Sequence, residues 1–355
     1  MYYISNFSHD PYYNLAFEEY CFKQLDPMEQ YVLLWQNERS VIVGRFQNTL
    51  AEINADYVKR HGVHVVRRMT GGGAVYHDLG NLNFTFIQNR QSEQIDFRPF
   101  TEPVVKALAE MGITAEISGR NDLTIGGKKF SGNAQYHEKN RTMHHGTLLF
   151  AADLDAVEAA LQVKQDKYAS KGVKSVRSRV TNIREHLERP LTLAQFRDTL
   201  LEHLFAYQGE PVREYHLRDE DLAAIARLCN SKYRTWEWNY GQSPQFNVRN
   251  NGRFACGGLE VCLQVDKGII KECKIYGDYF SNEEPTEFEQ KMSGVKYESE
   301  AVYDALHKAG VARFFGQVSA EELLPLFIPS VYREPLFAYI RNAVASRESI
   351  EHNKT

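Results

Sequence analysis

The sequence predicts an α+β fold, mainly antiparallel sheets flanked by helices, with a small α+β C-terminal domain. Three observations carry that prediction. Short apolar runs punctuated by Gly, Asn and Asp follow one another from residue 31 to residue 150, a spacing that belongs to antiparallel sheet and not to strictly alternating strand and helix. Helical periodicity then takes over, and the composition changes after WEWNYGQSPQF (236–246). At 355 residues there is room for two domains. The expected division is a catalytic domain over 1–246, an accessory domain over 247–345 and a polar tail over 346–355.

Taken in order, Asp10 followed by Pro11 is an N-cap with a first-turn proline, and the helix it opens continues to about Gln24. YVLLW (31–35) and SVIVG (40–44) are apolar runs separated by Gln36-Asn37-Glu38 and read as paired strands. VHVVRR, AVYH and LNFTFI extend the strand pattern, broken by Gly71–Gly73 and by Asp78–Asn81. Val104, Val105, Leu108 and Met111 keep helical spacing, and Gly112 stands where a C-terminal cap belongs. Gly126-Gly127 suits a tight hairpin between DLTI and KKFSGNAQYH, and TMHHGTLLF is a further strand. Helices are expected at about 192–207 and 219–229. After residue 247, two or three strands precede helices near 285–293, 299–309 and 319–327.

Hydrophobic residues make up 43% and charged residues 25%, a globular balance that excludes disorder and fibre. A net charge of −4 gives no basic footprint for nucleic acid. The N-terminus lacks a charged start followed by an apolar core, and no uninterrupted apolar stretch reaches about 18 residues, so neither export nor a membrane span is expected. Cys21, Cys229, Cys256, Cys262 and Cys273 contain no CxxC pair, which suits the reducing cytoplasm and argues against structural zinc.

Four stretches could carry chemistry. In RRMTGGGAVYHD (67–78) the glycines lead into a strand-like run, so neither a Walker loop nor a dinucleotide fingerprint fits. A plain hairpin turn would satisfy the pattern, yet a third glycine suggests that the backbone approaches something closely, with Arg67 and Arg68 beside it to supply charge. In GRNDLTIGGKKFSGNAQY (119–136), Asp122 and the lysines Lys128 and Lys129 lie on opposite hairpin arms. Strand alternation lets only one lysine enter a site, and solvated surface lysines are the plain alternative. His144 and His145 face opposite ways on a strand and cannot readily chelate one metal, so a satisfied core histidine is the competing reading for each. KQDKYASKGVKSVRSRVTNIR (164–184) is rich in Lys and Arg against a single Asp. It is either a solvated loop or a segment that meets a polyanion or an acidic partner.

Together, RRMTGGGAVYHDLGN, GRNDL, GKKFSGNAQ, HHGTLLF and KGVKSVRSRVTN resemble, in order and spacing, the lipoate-protein ligases of the biotin/lipoate ligase superfamily. WEWNYGQSPQF followed by a small domain looks like the two-domain bacterial form. The resemblance implies ATP-dependent activation of lipoate to lipoyl-AMP, release of pyrophosphate, and transfer of the acyl group to a protein lysine. It implies ATP and Mg2+ as cofactors. The partners it implies are apo lipoyl domains of 2-oxoacid dehydrogenase complexes or the glycine cleavage H protein, with neither nucleic acid nor membrane. The catalytic cation falls on Lys129. Arg68, Gly73, Ala74, Val75, Tyr76, Lys171, Gly172, Val173 and Arg179 match the ATP site. Glu19, Trp35, Gly72, His77, Gly132, Asn133, His145 and Gly146, with Arg68, Gly73 and Lys129, match the lipoate site. Asn121 and Asp122 match the pair near the magnesium ion. Three alternatives compete. An octanoyl or lipoyl transferase of this fold needs a cysteine nucleophile just before the His-Gly, where this chain has Arg141-Thr142-Met143. Biotin ligase needs a Gly-Arg-Gly-Arg pattern that is absent, and a non-catalytic lipoyl binder would not need Lys129.

Overall fold

The computed structural model describes residues 1–89, 95–119, 121–161, 179–240, 248–266, 268–281 and 283–328. The chain falls into two compact units, Met1–Gly241 and Gln242–Thr355. The expected boundary near residue 247 and the tail 346–355 lie outside the described residues.

Among the described residues the first unit holds two sheets. The larger has seven strands, in the order β1 (Tyr2–Ile4), β2 (Tyr31–Trp35), β6 (Asn81–Asn89), β10 (Arg141–Leu149), β9 (Lys128–Glu138), β8 (Asp122–Ile125), β7 (Glu116–Ser118). The smaller runs β4 (His64–Arg67), β3 (Ser40–Val43), β5 (Val75–His77). Both are mixed: β1 pairs with β2 and β3 with β4 in parallel, the other pairs being antiparallel.

Side-chain alternation gives the large sheet two apolar faces. Val32, Leu34, Phe84, Phe86 and Leu148 pack against the helices Arg98–Glu110 and Leu193–Tyr207 through Val104, Leu108, Phe196 and Leu200. Leu33, Trp35, Ile87 and Met143 face the first helix, Pro11–Gln24, together with Ile42 and Val66 of the small sheet. Each such buried side chain contributes roughly 1.5–3 kcal/mol. The small sheet covers its outer face, Val41, Val43, Val65 and Tyr76, with the helix Leu154–Ala160. A space between the two sheets follows from this layering.

Local signals placed several elements as expected. Asp10 caps the first helix by accepting from the Tyr12 and Tyr13 amides. Thr192 and Gln195 form a capping box at the start of Leu193–Tyr207. Gly126 and Gly127 take φ of 56° and 75° between β8 and β9, the double positive φ of a tight hairpin.

Two pairings differ from expectation. YVLLW and SVIVG belong to different sheets, because the chain crosses from one to the other after Trp35. The strands flanking Gly71–Gly73 form no hairpin: β4 and β5 lie on either side of β3, and the glycines cross over its end. There Gly44 leaves room for them, since a Cβ on Gly44 would stand 1.9 Å from the Gly72 carbonyl oxygen. The close approach that a third glycine suggested is partly this contact, backbone against backbone.

In the second unit, β11 (Val248–Phe254), β12 (Gly257–Asp266) and β13 (Ile269–Gly277) form an antiparallel meander. Helices Thr286–Met292, Ser299–Ala309, Val311–Phe315 and Ala320–Phe327 bury Phe288, Phe314, Phe315 and Phe327. No helix among the described residues is long and apolar enough to cross a membrane.

Candidate active site

Between the two sheets of the first unit lies a cavity of about 120 Å³. Many of the expected residues line it: Trp35, Arg68, Gly72, Gly73, Ala74, Val75, His77, Asn121, Lys129, Gly132, Asn133, His145 and Gly146. Leu15, Ile42, Asn83, Ala134 and Thr147 join them. Ala134 and Thr147 belong to two of the motifs without an expected role, and Leu15, Ile42 and Asn83 lie outside them and reach the cavity only through the packing of helix and sheets.

Lys129 owes its position to a bulge. On β9, Ser131 pairs with Leu123 but Lys129 pairs with Thr124, so Phe130 is the extra residue. Without the bulge, residues 129 and 132 would point to opposite faces; with it, Lys129 lies over Gly132, its Nζ 3.0 Å from where a Cβ would stand. Asp122 Oδ1 holds that Nζ at 2.8 Å. Both side chains are partly exposed, at 39% and 36%, and mark the solvent side of the cavity. The segment that closes the basic run returns beside this lysine, with the Thr181 amide donating to the Lys129 carbonyl at 3.0 Å. Asn182 fastens that segment to Ala152, and Arg179 is exposed. Lys171, Gly172 and Val173 lie outside the described residues.

The two adjacent arginines have separate tasks. Arg68 is buried and donates to the carbonyls of Ile42, Gly71 and Gly73 and to Thr70 Oγ1, so it shapes the glycine loop from inside. Burial pulls its pKa down to about 10. Arg67 turns to the other face and donates to the carbonyls of Gly44, Gln47 and Trp238 and to Thr49. It supplies no charge to the cavity and ties WEWN to the strand that precedes the glycines. Tyr76 follows the same rule: its ring packs on the outer face with Val41 and Val43, and only its backbone lies along the loop.

Beneath the loop runs a buried chain of hydrogen bonds. Arg68 Nε donates to Thr70 Oγ1, Thr70 lies 2.8 Å from His145 Nε2, and His145 Nδ1 lies 2.8 Å from Glu18 Oε1. Thr85 donates to the same Glu18 oxygen and receives the Trp35 indole N–H. Neither Glu18 nor Glu19 lines the cavity: Glu18 is tied to it through His145, whereas Glu19 accepts from Lys232 and Tyr233. Helical spacing from Leu15 and Phe22 fits both glutamates, and both are buried, so the sequence did not separate them. Of the two histidines, His145 faces the cavity. His144 is a satisfied core residue held by Gln135 and Asn133 and stacked on Phe100 at 4.7 Å, its pKa well below the ordinary 6.5 through burial.

Residues 10–205 match the family model described as the lipoyl protein ligase A/B catalytic domain, and residues 243–327 match the bacterial lipoate protein ligase C-terminus. The chain belongs to the lipoate-protein ligase family. Lipoate-protein ligase LplJ of Bacillus subtilis is 46% identical over 319 residues, 89% of this chain and 96% of that one. Among solved structures, Plasmodium falciparum LipL1 in complex with lipoate superposes with a TM-score of 0.71 at 25% identity, covering 86% of this chain and 94% of its own. A lipoate-protein ligase A bound with ATP gives 0.59 at 28% identity, over 68% and 99%. The bi-partite ligase of Thermoplasma acidophilum, described with its E2 lipoyl domain, gives 0.60 at 30% identity, over 70% and 98%. Within this lipoate-protein ligase all five cysteines are buried and none lines the cavity, so a cysteine acyl-enzyme has no nucleophile there.

Proposed function

We propose that this ligase activates lipoate with ATP and transfers the lipoyl group to a lysine of an apo lipoyl domain, with the residues of the cavity in the roles that follow. The observation that carries the reading is Lys129, whose ammonium stands over Gly132 where the cavity meets solvent. A carboxylate is a poor electrophile, so its oxygen attacks the α-phosphorus of ATP, pyrophosphate departs, and a mixed anhydride remains. Negative charge gathers first on phosphorus-bound oxygens and then on the acyl oxygen as the acceptor amine attacks and AMP leaves. One cation beside both centres stabilises both steps. Arg68 holds the Gly71–Gly73 crossing so that the backbone of Gly73, Ala74, Val75 and Tyr76 lies along the nucleotide. Leu15, Trp35 and Ile42 wall the acyl chain, with His145, Gly146, Gly132 and Asn133 beside it. Glu18, bonded to His145 Nδ1, orients that imidazole beside the acyl chain.

Mg2+ fits the mouth. Asp122 offers a carboxylate and Asn121 an amide oxygen, a thin set of protein oxygens of the kind this ion takes when phosphates and water complete its shell. Bound there it would neutralise phosphate charge. Catalysis falls to residues 1–246, residues 247–345 form the accessory domain, and the enzyme works in the cytoplasm. Acceptors are lipoyl domains of 2-oxoacid dehydrogenases or the glycine cleavage H protein. The ligase found with its E2 lipoyl domain supports the former.

The test is to incubate the protein with ATP, MgCl2 and lipoate, to measure pyrophosphate, and then to add each apo acceptor and follow its mass. Lipoate-dependent pyrophosphate release followed by a lipoyl mass increment is expected. Lipoate retained without any pyrophosphate would leave only a binder.

A further inference from the structure

The turn at 78–81, between β5 and β6, holds an exposed apolar side chain on a fixed frame. Asp78 spends both carboxylate oxygens there, accepting from the Gly80 amide at 2.8 Å and from the Asp153 amide at 2.8 Å. The Gly80 carbonyl accepts from the amides of Phe150 and Ala151, and the Leu79 carbonyl accepts from Gln36 Nε2. Gly80 has no space for a side chain, since a Cβ would stand 2.1 Å from the Ala151 carbonyl oxygen. Leu79 itself remains 50% exposed. One exposed leucine is ordinary by itself. This one is pre-ordered, so little conformational entropy is left to lose when something covers it.

Leu79 also borders a groove of about 390 Å³, with Phe150, Pro190, Leu191 and Leu193 among its walls. Arg184 is the charged side chain among the described lining residues. It closes the basic run, is exposed, and has no carboxylate partner among the described residues. The groove lies close to the catalytic lysine. Both sit at one end of the large sheet, where β9 begins, β10 ends and β6 begins. The Thr181 amide donates to the Lys129 carbonyl and the Arg184 amide to the Phe150 carbonyl, so the stretch between them runs from the cavity mouth to the groove. The three residues from Thr181 to Arg184 span at most about 11 Å. A standard interface buries about 800 Å² on each partner, a patch about 16 Å in radius. A folded acceptor centred on Lys129 therefore extends over the groove.

We propose that this groove, with its Leu79 rim, docks the apo lipoyl domain that receives the acyl group. The domain meets it with an apolar side chain and with a neighbouring carboxylate that pairs with Arg184. This docking rests on the lipoyl-transfer reading and adds the surface that recognises the acceptor. Leu79 and the apolar walls supply a contact that water leaves, and the solvated Arg184 supplies attraction during approach. Neither Leu79 nor Arg184 lines the cavity, so formation of the adenylate does not need them.

The experiment sets full-length Leu79→Asp and Arg184→Glu beside the wild type. It follows lipoate-dependent pyrophosphate release, discharge of the lipoyl-adenylate by hydroxylamine, and lipoylation of an apo E2 lipoyl domain over a range of concentrations. Release and hydroxylamine discharge should stay within about twofold of wild type, because a small amine needs no docking. KM for the lipoyl domain should rise about tenfold or more in Leu79→Asp, where a charge would have to be buried. In Arg184→Glu it should rise about threefold to tenfold, and the increase of KM with added NaCl seen in the wild type should largely disappear. An unchanged KM in both variants, or an equal fall in hydroxylamine discharge, would overturn the docking site. A wild-type dimer that Leu79→Asp dissociates in sedimentation, with KM unchanged, would overturn it in favour of a second copy of the chain. Absence of pyrophosphate release by the wild type would instead remove the ligase reading beneath it.

Discussion

Lys129 and Asp122 form an ion pair that solvent screens, worth at most about 1 kcal/mol to the fold. Lys129→Ala should therefore leave the melting temperature almost unchanged while lowering lipoate-dependent pyrophosphate release about 100- to 1000-fold, the usual loss for one donor at a developing anion. Calorimetry beside a pyrophosphate assay checks both halves, and normal release would remove Lys129 from catalysis. His144 makes a separate prediction about pH. Burial holds its pKa well below 6.5, so the folded protein keeps it neutral while the unfolded chain takes up a proton below that value. Stability from this residue is complete above pH 6.5 and declines as pH falls. Between pH 7 and pH 5 the loss should be about 2 kcal/mol. Denaturant titrations at the two pH values should show a smaller loss for His144→Gln than for the wild type. At this scale the chemistry-bearing types were legible, since the GKKFSG stretch offered the lysine and HHG the histidine. Which of Arg67 and Arg68, or of Glu18 and Glu19, turns inward was not. Neighbours on a strand differ by half a turn and on a helix by about 100°, and the phase is set by what packs opposite.

Among the elements, the glycine crossing depends on a residue far from it in sequence. Gly44 directly follows β3, and any side chain there meets the Gly72 carbonyl. Gly44→Ala should cost about 2–4 kcal/mol through forced backbone movement and should weaken ATP binding more than lipoate binding. Thermal melting and titration calorimetry with each ligand would show this, and equal losses for both ligands would place the crossing elsewhere than on the nucleotide. The hairpin at Gly126-Gly127 and the cap at Asp10 were legible because their causes lie within four residues. The pairing of β3 with both β4 and β5 was not, because partner choice is non-local and two buried strands both read as plain apolar runs.

For the molecule as a whole, all the residues lining the cavity lie within the first unit, and the last helix of that unit belongs to its frame. Trp238 and Asn239 accept from the buried Arg67 guanidinium through their carbonyls, and the Asn239 side chain accepts from the Arg67 amide. A chain ending at residue 241 should melt cooperatively and bind lipoate. One ending at residue 235 leaves Arg67 without those acceptors and should melt on the order of 10 °C lower. Similar melting of the two would show that WEWN is only a connector. By itself the sequence determined the class of fold, the order of the motifs and the family they resemble, since these depend on local pattern and residue type. The tertiary structure alone decided that the glycines cross a strand end and do not close a hairpin, and that a bulge lays Lys129 over Gly132. It also decided that His77 and Asn83, from two different sheets, line the same cavity. Each of these is set by contact between segments distant in the chain, where packing and hydrogen-bond completion choose among conformations that the local sequence leaves equally open.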